Sequence, residues 1–153
     1  MENKKEISTE AVQKLREATG AGVMDCHRAL IEAKGDFDAA TAIIREKGFS
    51  KMEKRAGRAT GAGLVRTYVH NDRIGTLLEL RAETDFVVRS EPFQDLAREL
   101  TMQIAASAPK DVEELLSQQY IKDESKTVKD LLGEVVAKVG ENISIGQFYR
   151  IEV

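Results

Sequence analysis

The chain has 153 residues, of which 42% are hydrophobic and 32% are charged, a composition typical of a globular protein rather than a disordered or membrane-embedded one. Its length suits one sizeable domain or two small ones. The net charge of −3 gives the whole chain no attraction to nucleic acid, and no run of apolar residues is long enough to span a bilayer.

The cysteines and histidines that form disulfides or structural zinc sites are scarce. The single cysteine, Cys26, excludes an intramolecular disulfide, and two histidines are too few for a structural zinc site. The N-terminal hexapeptide has no apolar segment and is too acidic for a transit peptide. We therefore expect a cytoplasmic protein with no membrane segment, no metal and no other cofactor.

Three short helices are predicted in residues 1–50, which is a small bundle better suited to binding than to catalysis. Ser8 and Asp36 are suitable N-caps, because a short polar side chain accepts a hydrogen bond from an amide of the first turn. Gly35 and Gly48 are suited to end the second and third helices. The side chains predicted to face inward are Val12, Leu15, Ala18, Val23, Ala29, Leu30, Ala33, Phe37, Ala40, Ile43 and Ile44.

The next stretch, residues 45–66, is strongly basic. It holds seven lysines and arginines but only two glutamates, it is interrupted by glycines, and it has no apolar periodicity. We interpret residues 51–62 as a basic linker, partly helical, that ends in a flexible joint. A phosphate-binding patch is the alternative interpretation of the same charges.

The strands of a core domain are predicted in residues 63–153. Two runs rich in β-branched and aromatic residues, 64–70 and 73–82, flank a turn-forming Asn-Asp pair and predict an antiparallel hairpin. The last residues, 143–153, alternate apolar and polar side chains and predict a third strand. The chain therefore carries the strands of one small sheet.

Helices are predicted between these strands. Ser90 and Thr127 are suitable N-caps for two long helices, Gly140 is suited to end the second, and residues 111–119 add one or two further turns. The side chains predicted to be buried on the first long helix are Phe93, Leu96, Leu100 and Ile104. Because a small sheet must bury one face, we expect an α+β fold with a three-stranded antiparallel sheet packed on these helices.

The connection between the second strand and the first long helix, residues 83–91, is unusually apolar. Connections run over the surface, yet this one carries Phe86, Val87 and Val88 in succession. Leaving a phenylalanine in water forgoes about 1.5–3 kcal/mol of burial free energy. Phe86 therefore either folds back to cap the sheet or is presented to another protein, and the local pattern leaves both interpretations open.

Two segments resemble the elongation factor Ts family. Residues 14–26, with the sequence KLREATGAGVMDC, are similar to the N-terminal module of bacterial members. Residues 83–87, with the sequence ETDFV, are similar to the signature of that family's core domain, and residues 140–143, GENI, add a third match. The matches follow the family's order over almost the whole chain.

The resemblance implies a guanine-nucleotide exchange factor for the GTPase elongation factor Tu, not an enzyme, whose N-terminal bundle is similar to ubiquitin-associated (UBA) domains. It further implies that Phe86 is a wedge inserted near the Mg²⁺ and phosphate site of the GTPase, and that Asp85 reorganises the surrounding groups. Thr84 and Val87 would shape this loop. The partner-contacting residues implied for the N-terminal bundle are Leu15, Arg16, Val23 and Met24.

The chain departs from longer family members in one segment. Those members carry a helical hairpin or a second core subdomain between the equivalents of Pro109 and Thr127, where this chain has only residues 110–126. The resemblance to short members that form homodimers suggests that a second chain supplies the missing part, through the edge of the final strand or the helix faces. A monomer that engages the GTPase alone is the alternative.

Two other functions are compatible with the same sequence. In the first, the N-terminal bundle binds a peptide or the ribosome without any nucleotide exchange, on a dimeric platform. In the second, the basic stretch 45–66 binds RNA, although we expect no direct contact with nucleic acid. Cys26 lies at helical spacing among apolar residues, so we expect a buried, unreactive thiol.

Overall fold

The structure, a computed structural model, describes residues 7–153; the N-terminal hexapeptide, on which the expectation about targeting rests, lies outside this range. The elements in chain order are α1 (Thr9–Thr19), α2 (Val23–Glu32), α3 (Phe37–Arg55), β1 (Ala62–His70), β2 (Ile74–Ala82), α4 (Asp85–Val88), α5 (Glu91–Ser107), α6 (Val112–Ser117), β3 (Gln119–Tyr120), β4 (Asp123–Thr127), α7 (Val128–Val139) and β5 (Ile143–Glu152). This mixture of helices with antiparallel strands confirms the α+β prediction at the level of fold class.

The first three helices share a small core of their own. Both predicted N-caps are confirmed: Ser8 accepts a hydrogen bond from the Ala11 amide at 3.2 Å, and Asp36 accepts one from the Ala39 amide at 2.8 Å. Gly20 ends α1 with a φ of 68°, which a residue with a side chain rarely adopts. The buried residues of this core are Val12, Leu15, Cys26, Ala29, Leu30 and Ala40. The resemblance of these helices to UBA domains stays a prediction.

Three of the side chains predicted to face inward are exposed. Ala18 lies outside the core because each three-residue step along a helix falls about 60° short of a full turn, so two steps from Val12 reach a different face. Val23 and Phe37 are 50% and 40% exposed. Each is the first residue of its helix, α2 or α3.

The prediction that the third helix ends at Gly48 is wrong, because α3 continues to Arg55. Gly48 is buried where α3 crosses α7, and a Cβ atom built on it would lie 3.6 Å from the carbonyl oxygen of Gly133. Phe49, the next residue of α3, and Met52, one turn after Gly48, lie against Gly133. The first half of α3 therefore belongs to the N-terminal core, and its second half packs on α7. Because the two halves bury different faces of the helix, α3 shows no single apolar stripe from which its full length could be predicted. The boundaries at residues 50 and 63 stay predictions.

The three-stranded antiparallel sheet is confirmed, with β2 in the centre between β1 and β5. Asn71 and Asp72 form the predicted turn, with φ angles of 50° and 55°. Thr67 on β1 lies opposite Leu77 on β2, and Leu77 lies opposite Tyr149 on β5. One face of the sheet packs on helices and the other does not, which divides the side chains of each strand between core and surface.

The buried face of the sheet packs against α5 and α7. All four side chains of the predicted α5 stripe are buried, and Thr127 forms the predicted N-cap of α7. The sequence did not predict the short hairpin of β3 and β4, because its residues are mostly polar. Tyr120 on β3 attaches it to α5 by donating a hydrogen bond to the Glu99 carboxylate at 2.6 Å. Across residues 7–153, no helix has the length and apolar character needed to cross a membrane.

Replacing Gly48 tests the crossing of α3 and α7. Gly48→Ala should raise the free energy of unfolding by about 0.5–1 kcal/mol, because the added methyl makes ordinary contacts and removes a glycine from a helix interior. Gly48→Leu should lower it by about 1–3 kcal/mol through overpacking. Urea unfolding followed by circular dichroism measures both changes.

The matched control is Ser50→Leu, at an exposed position two residues further along α3, where we expect a change within about 0.5 kcal/mol. A Gly48→Leu variant as stable as Ser50→Leu would contradict the close packing of the two helices.

Candidate functional site

The loop after β2 presents a phenylalanine to solvent on a buried base. Thr84 starts the single turn of α4, where its hydroxyl oxygen accepts a hydrogen bond from the Val87 amide at 3.4 Å. Val87 and Val88 are 5% and 8% exposed and belong to the core, whereas Phe86 between Asp85 and Val87 is 85% exposed. The alternative in which Phe86 folds back onto the sheet is therefore wrong.

Hydrogen bonds hold this loop at both ends. At its start, the amide and hydroxyl of Thr84 donate to the two carboxylate oxygens of Glu141 at 3.0 and 2.6 Å. At its end, the Ser90 hydroxyl donates to the Val87 carbonyl at 2.6 Å, and the Gln94 amide group donates to the Val88 carbonyl at 2.7 Å. The exposed ring therefore projects from a fixed backbone.

Asp85 adds a free carboxylate beside the ring. It is exposed, and within residues 7–153 its side chain takes part in no hydrogen bond or ion pair. Of the four loop residues expected to contact a partner, Asp85 and Phe86 offer their side chains to it. Thr84 and Val87 instead hold the loop within the fold, and their role towards a partner stays a prediction.

A second exposed surface lies on the N-terminal helices. Val23 and Met24, at the start of α2, are 50% and 60% exposed, and the exposed Arg16 lies on α1. Arg16 and Val23 line one cleft together with Lys138 of α7. Leu15 is fully buried in the N-terminal core, so we correct its assignment from a contact residue to a packing residue. We call Arg16, Val23 and Met24 the bundle surface.

The open face of the sheet is a third surface, and sequence analysis did not single it out. Its exposed apolar side chains, which we call the outer sheet face, are Val65, Val69, Leu77, Tyr149, Ile151 and Val153. Part of the signal was present in the sequence, because β1 carries apolar residues at both alternating sets of positions, whereas a strand with one wet face carries them at one. In β5 the apolar residues alternate regularly, but an irregular register against β2 leaves Ile145 on the core side and turns Tyr149 and Ile151 outward.

One ion pair lies on this apolar face. The Glu79 carboxylate accepts a hydrogen bond from the Gln147 amide at 3.1 Å and a second from the Arg81 guanidinium. The hydrogen bond from the Gln147 main-chain amide is the largest cause that holds the pKa of Glu79 below its usual range, and the one from Arg81 is the next. A Cβ on Gly146 would collide with the Glu79 side chain, so the glycine makes room for this carboxylate on the strand.

Some of the other reactive and charged groups are engaged within the fold. Cys26 is buried as predicted, and burial raises the pKa of its thiol. Cations of the basic stretch 45–66 pair with carboxylates: Lys47 with Glu32 at 3.1 Å and Lys51 with Asp25 at 3.0 Å. The described part of the chain contains no group of three or more acidic, histidine or cysteine side chains placed to hold a metal ion.

Comparison with known proteins connects these surfaces to one family. The family profile described as "Elongation factor TS" matches residues 83–153, the part that contains the Phe86 loop and the sheet strand β5. Proteins named elongation factor Ts from Caldanaerobacter subterraneus subsp. tengcongensis and Thermotoga neapolitana are each 42% identical over 192 residues, covering 95% and 97% of this chain and 96% and 98% of the relatives. One from Fervidobacterium nodosum is 39% identical over 194 residues, with coverage of 97% and 98%.

These alignments are longer than the 153 residues of the chain, so they include gaps opposite residues that the relatives have and this chain lacks. The identity nevertheless extends over both the N-terminal helices and the α+β core, and covers nearly all of each relative. The chain therefore belongs to the elongation factor Ts family of translation elongation factors.

Proposed function

We propose that the chain is a guanine-nucleotide exchange factor that promotes release of GDP from elongation factor Tu in the cytoplasm. The observation that carries the proposal is Phe86, a large apolar side chain that is 85% exposed above a base of two buried valines. An isolated surface aromatic of this kind gains about 1.5–3 kcal/mol when a partner buries it. Membership of the elongation factor Ts family supports a translational GTPase as this partner.

A rigid base suits the displacement of groups in a partner. When Phe86 enters a packed surface, either the loop or the partner must deform. The hydrogen bonds of Thr84 and Ser90 and the burial of Val87 resist deformation of the loop, so the partner yields. The free carboxylate of Asp85 enters with the ring and can accept hydrogen bonds that previously held the Mg²⁺ and phosphate site.

The chemistry of exchange requires no catalytic acid, base or nucleophile in this chain. A factor that weakens GDP binding must itself bind less tightly when GDP is present, because the coupling free energy between two ligands of one protein is reciprocal. Binding energy directed at the nucleotide-free GTPase is therefore sufficient. We accordingly propose a non-enzymatic role, with the bundle surface providing a second contact.

We further propose that the outer sheet face is the contact between two copies of the chain. Large side chains are strongly exposed there, with Val65 at 66%, Tyr149 at 62% and Ile151 at 69%. Such a cluster on one face of a sheet is typical of an interaction site. The open face replaces the strand edge and the helix faces that we expected from the sequence to form the interface.

The charges on this face favour a second copy over an unrelated partner. Glu79 and Arg81 lie side by side among the apolar residues. In a two-fold symmetric pair each surface meets itself, so the carboxylate of one copy can approach the guanidinium of the other. A second core also compensates for the residues that the longer relatives have and this chain lacks.

The exchange proposal is tested by the release of a fluorescent GDP analogue from elongation factor Tu in a stopped-flow instrument. The wild-type chain should accelerate release in a saturable manner. Phe86→Ala should reduce the acceleration about ten- to a hundredfold, the equivalent of the lost burial, while its free energy of unfolding changes by less than about 0.5 kcal/mol.

The control is Phe37→Ala. It removes another aromatic ring, which is 40% exposed and lies outside the proposed contacts. Equal acceleration by wild type and Phe86→Ala would reject the wedge. A stable complex without any acceleration would reject exchange and favour the binding-module alternative.

The dimer proposal is tested by sedimentation velocity over a dilution series. The wild-type chain should sediment as a dimer, and Leu77→Glu should sediment as a monomer because it places a charge in the middle of the outer sheet face. The matched control is Ile121→Glu, since Ile121 is 41% exposed against 40% for Leu77 but lies on the β3–β4 hairpin. A monomeric wild type, or the same behaviour of both variants, would contradict the proposal.

A further inference from the structure

Two adjacent residues between α7 and β5 contact both of the proposed binding regions. Glu141 accepts the two hydrogen bonds from Thr84 described above, at 3.0 and 2.6 Å. Asn142 is only 6% exposed and donates from its side-chain amide to the carbonyl oxygens of Ala56 and Arg58, at 3.4 and 2.8 Å. One residue therefore holds the Phe86 loop and its neighbour holds the end of α3.

We propose that this pair, the Glu141–Asn142 junction, positions Phe86 relative to the bundle surface so that both engage the GTPase together. The proposal rests on the exchange function proposed above and adds two positioning residues to it. Neither residue is exposed in the manner of Phe86 or Met24, so neither acts by direct contact. Both act through the segments that they hold.

Glu141 fixes the direction of the Phe86 side chain. Thr84 is the N-cap of α4 and lies two residues before Phe86, so rotation at Thr84 would swing the ring. The two carboxylate oxygens of Glu141 bind two donors of the same residue, which fixes its orientation more firmly than one hydrogen bond would.

Asn142 fixes the end of α3. The chain leaves α3 at Ala56, its C-cap, and the Asn142 side chain donates to the carbonyl of Ala56 and to that of Arg58, three residues after the helix ends. Because α3 is one continuous helix whose first half belongs to the N-terminal core, holding its end also limits tilting of the bundle.

Glu83 connects the two halves of the junction. Its carboxylate accepts a hydrogen bond from the Asn142 main-chain amide at 2.7 Å and lies 3.6 Å from the Arg58 guanidinium. Arg58, three residues past the end of α3, and Glu83, at the start of the Phe86 loop, are thus linked directly as well as through Asn142. The N-terminal bundle and the Phe86 loop are therefore connected through a few residues rather than through the whole core.

The two residues should affect different kinetic quantities. The direction of Phe86 matters after the complex has formed, so loosening it should lower the maximal rate of GDP release. The position of the bundle determines whether two contacts can form at once, so loosening it should weaken binding through a lower effective concentration of the second contact. A merely structural residue would change both quantities only through the fraction of folded protein.

The first experiment measures GDP release from elongation factor Tu at increasing concentrations of Glu141→Gln. We expect the maximal rate to fall about tenfold, while the half-saturating concentration changes less than about twofold, because the amide retains only one acceptor for the two donors of Thr84. The matched control is Glu99→Gln, a carboxylate that also accepts two hydrogen bonds, from Tyr120 at 2.6 Å and Lys122 at 2.7 Å, but whose partners lie in the β3–β4 hairpin rather than in the loop.

The second experiment makes the same measurement on Asn142→Asp. The aspartate has the same size but lacks the amide donors and places a charge beside Glu83. We expect the half-saturating concentration to rise about tenfold with a smaller change in the maximal rate. The matched control is Gln118→Glu, whose side-chain amide likewise donates to a main-chain carbonyl, that of Ser107, at 3.3 Å.

A measurement that does not depend on exchange separates failure of this proposal from failure of the proposed function. Amide hydrogen exchange of residues 84–90 should become at least about fivefold faster in Glu141→Gln and stay unchanged in Glu99→Gln. If wild type fails to release GDP, the exchange function is rejected, and unchanged amide protection in Glu141→Gln would then overturn the junction as well. If wild type is active but the junction variants match their controls, only the junction is overturned.

Discussion

The close approach of α3 and α7 at Gly48 and Gly133 is the contact on which the arrangement of the whole chain depends. A Cβ at Gly133 would lie 3.4 Å from the Phe49 ring, so a side chain larger than a methyl group would push the helices apart. Because α3 is continuous, this contact sets the direction of the N-terminal helices as well as the position of Ala56 at its end. The bundle is thereby attached to the core through the packing of α3 on α7.

The Phe86 loop shows how neighbouring residues divide anchoring from recognition. Val87 and Val88 contribute to the core, and this burial stabilises a turn that would otherwise be too short to persist alone. Phe86 remains outside because the same turn directs it away from the two valines. The burial of Val87 and Val88 thus stabilises a loop that leaves the Phe86 ring exposed. A binding partner that covers the ring gains the free energy of its burial.

The uncovered sheet face follows from the shortness of the core. Three strands and the helices on one side complete a two-layer fold, and no helix within the described residues covers the other side. Apolar residues such as Tyr149 and Ile151 therefore stay exposed unless another molecule covers them. This agrees with alignments in which the relatives have additional residues, and it is the reason that we propose a second copy as the occupant.

Local sequence patterns determined the N-caps Ser8 and Asp36, the α5 stripe and the antiparallel hairpin, because each depends on residues a few positions apart. The segment ETDFV, through its family resemblance, also identified the loop that proved to be exposed. Tertiary structure alone decided that Gly48 is a packing contact rather than a helix end, since that depends on Gly133, which is distant in sequence. It likewise decided that Leu15 is buried, that Phe86 is not, and that Glu141 and Asn142 hold two separate segments, because burial and long-range hydrogen bonds arise only when the elements pack together.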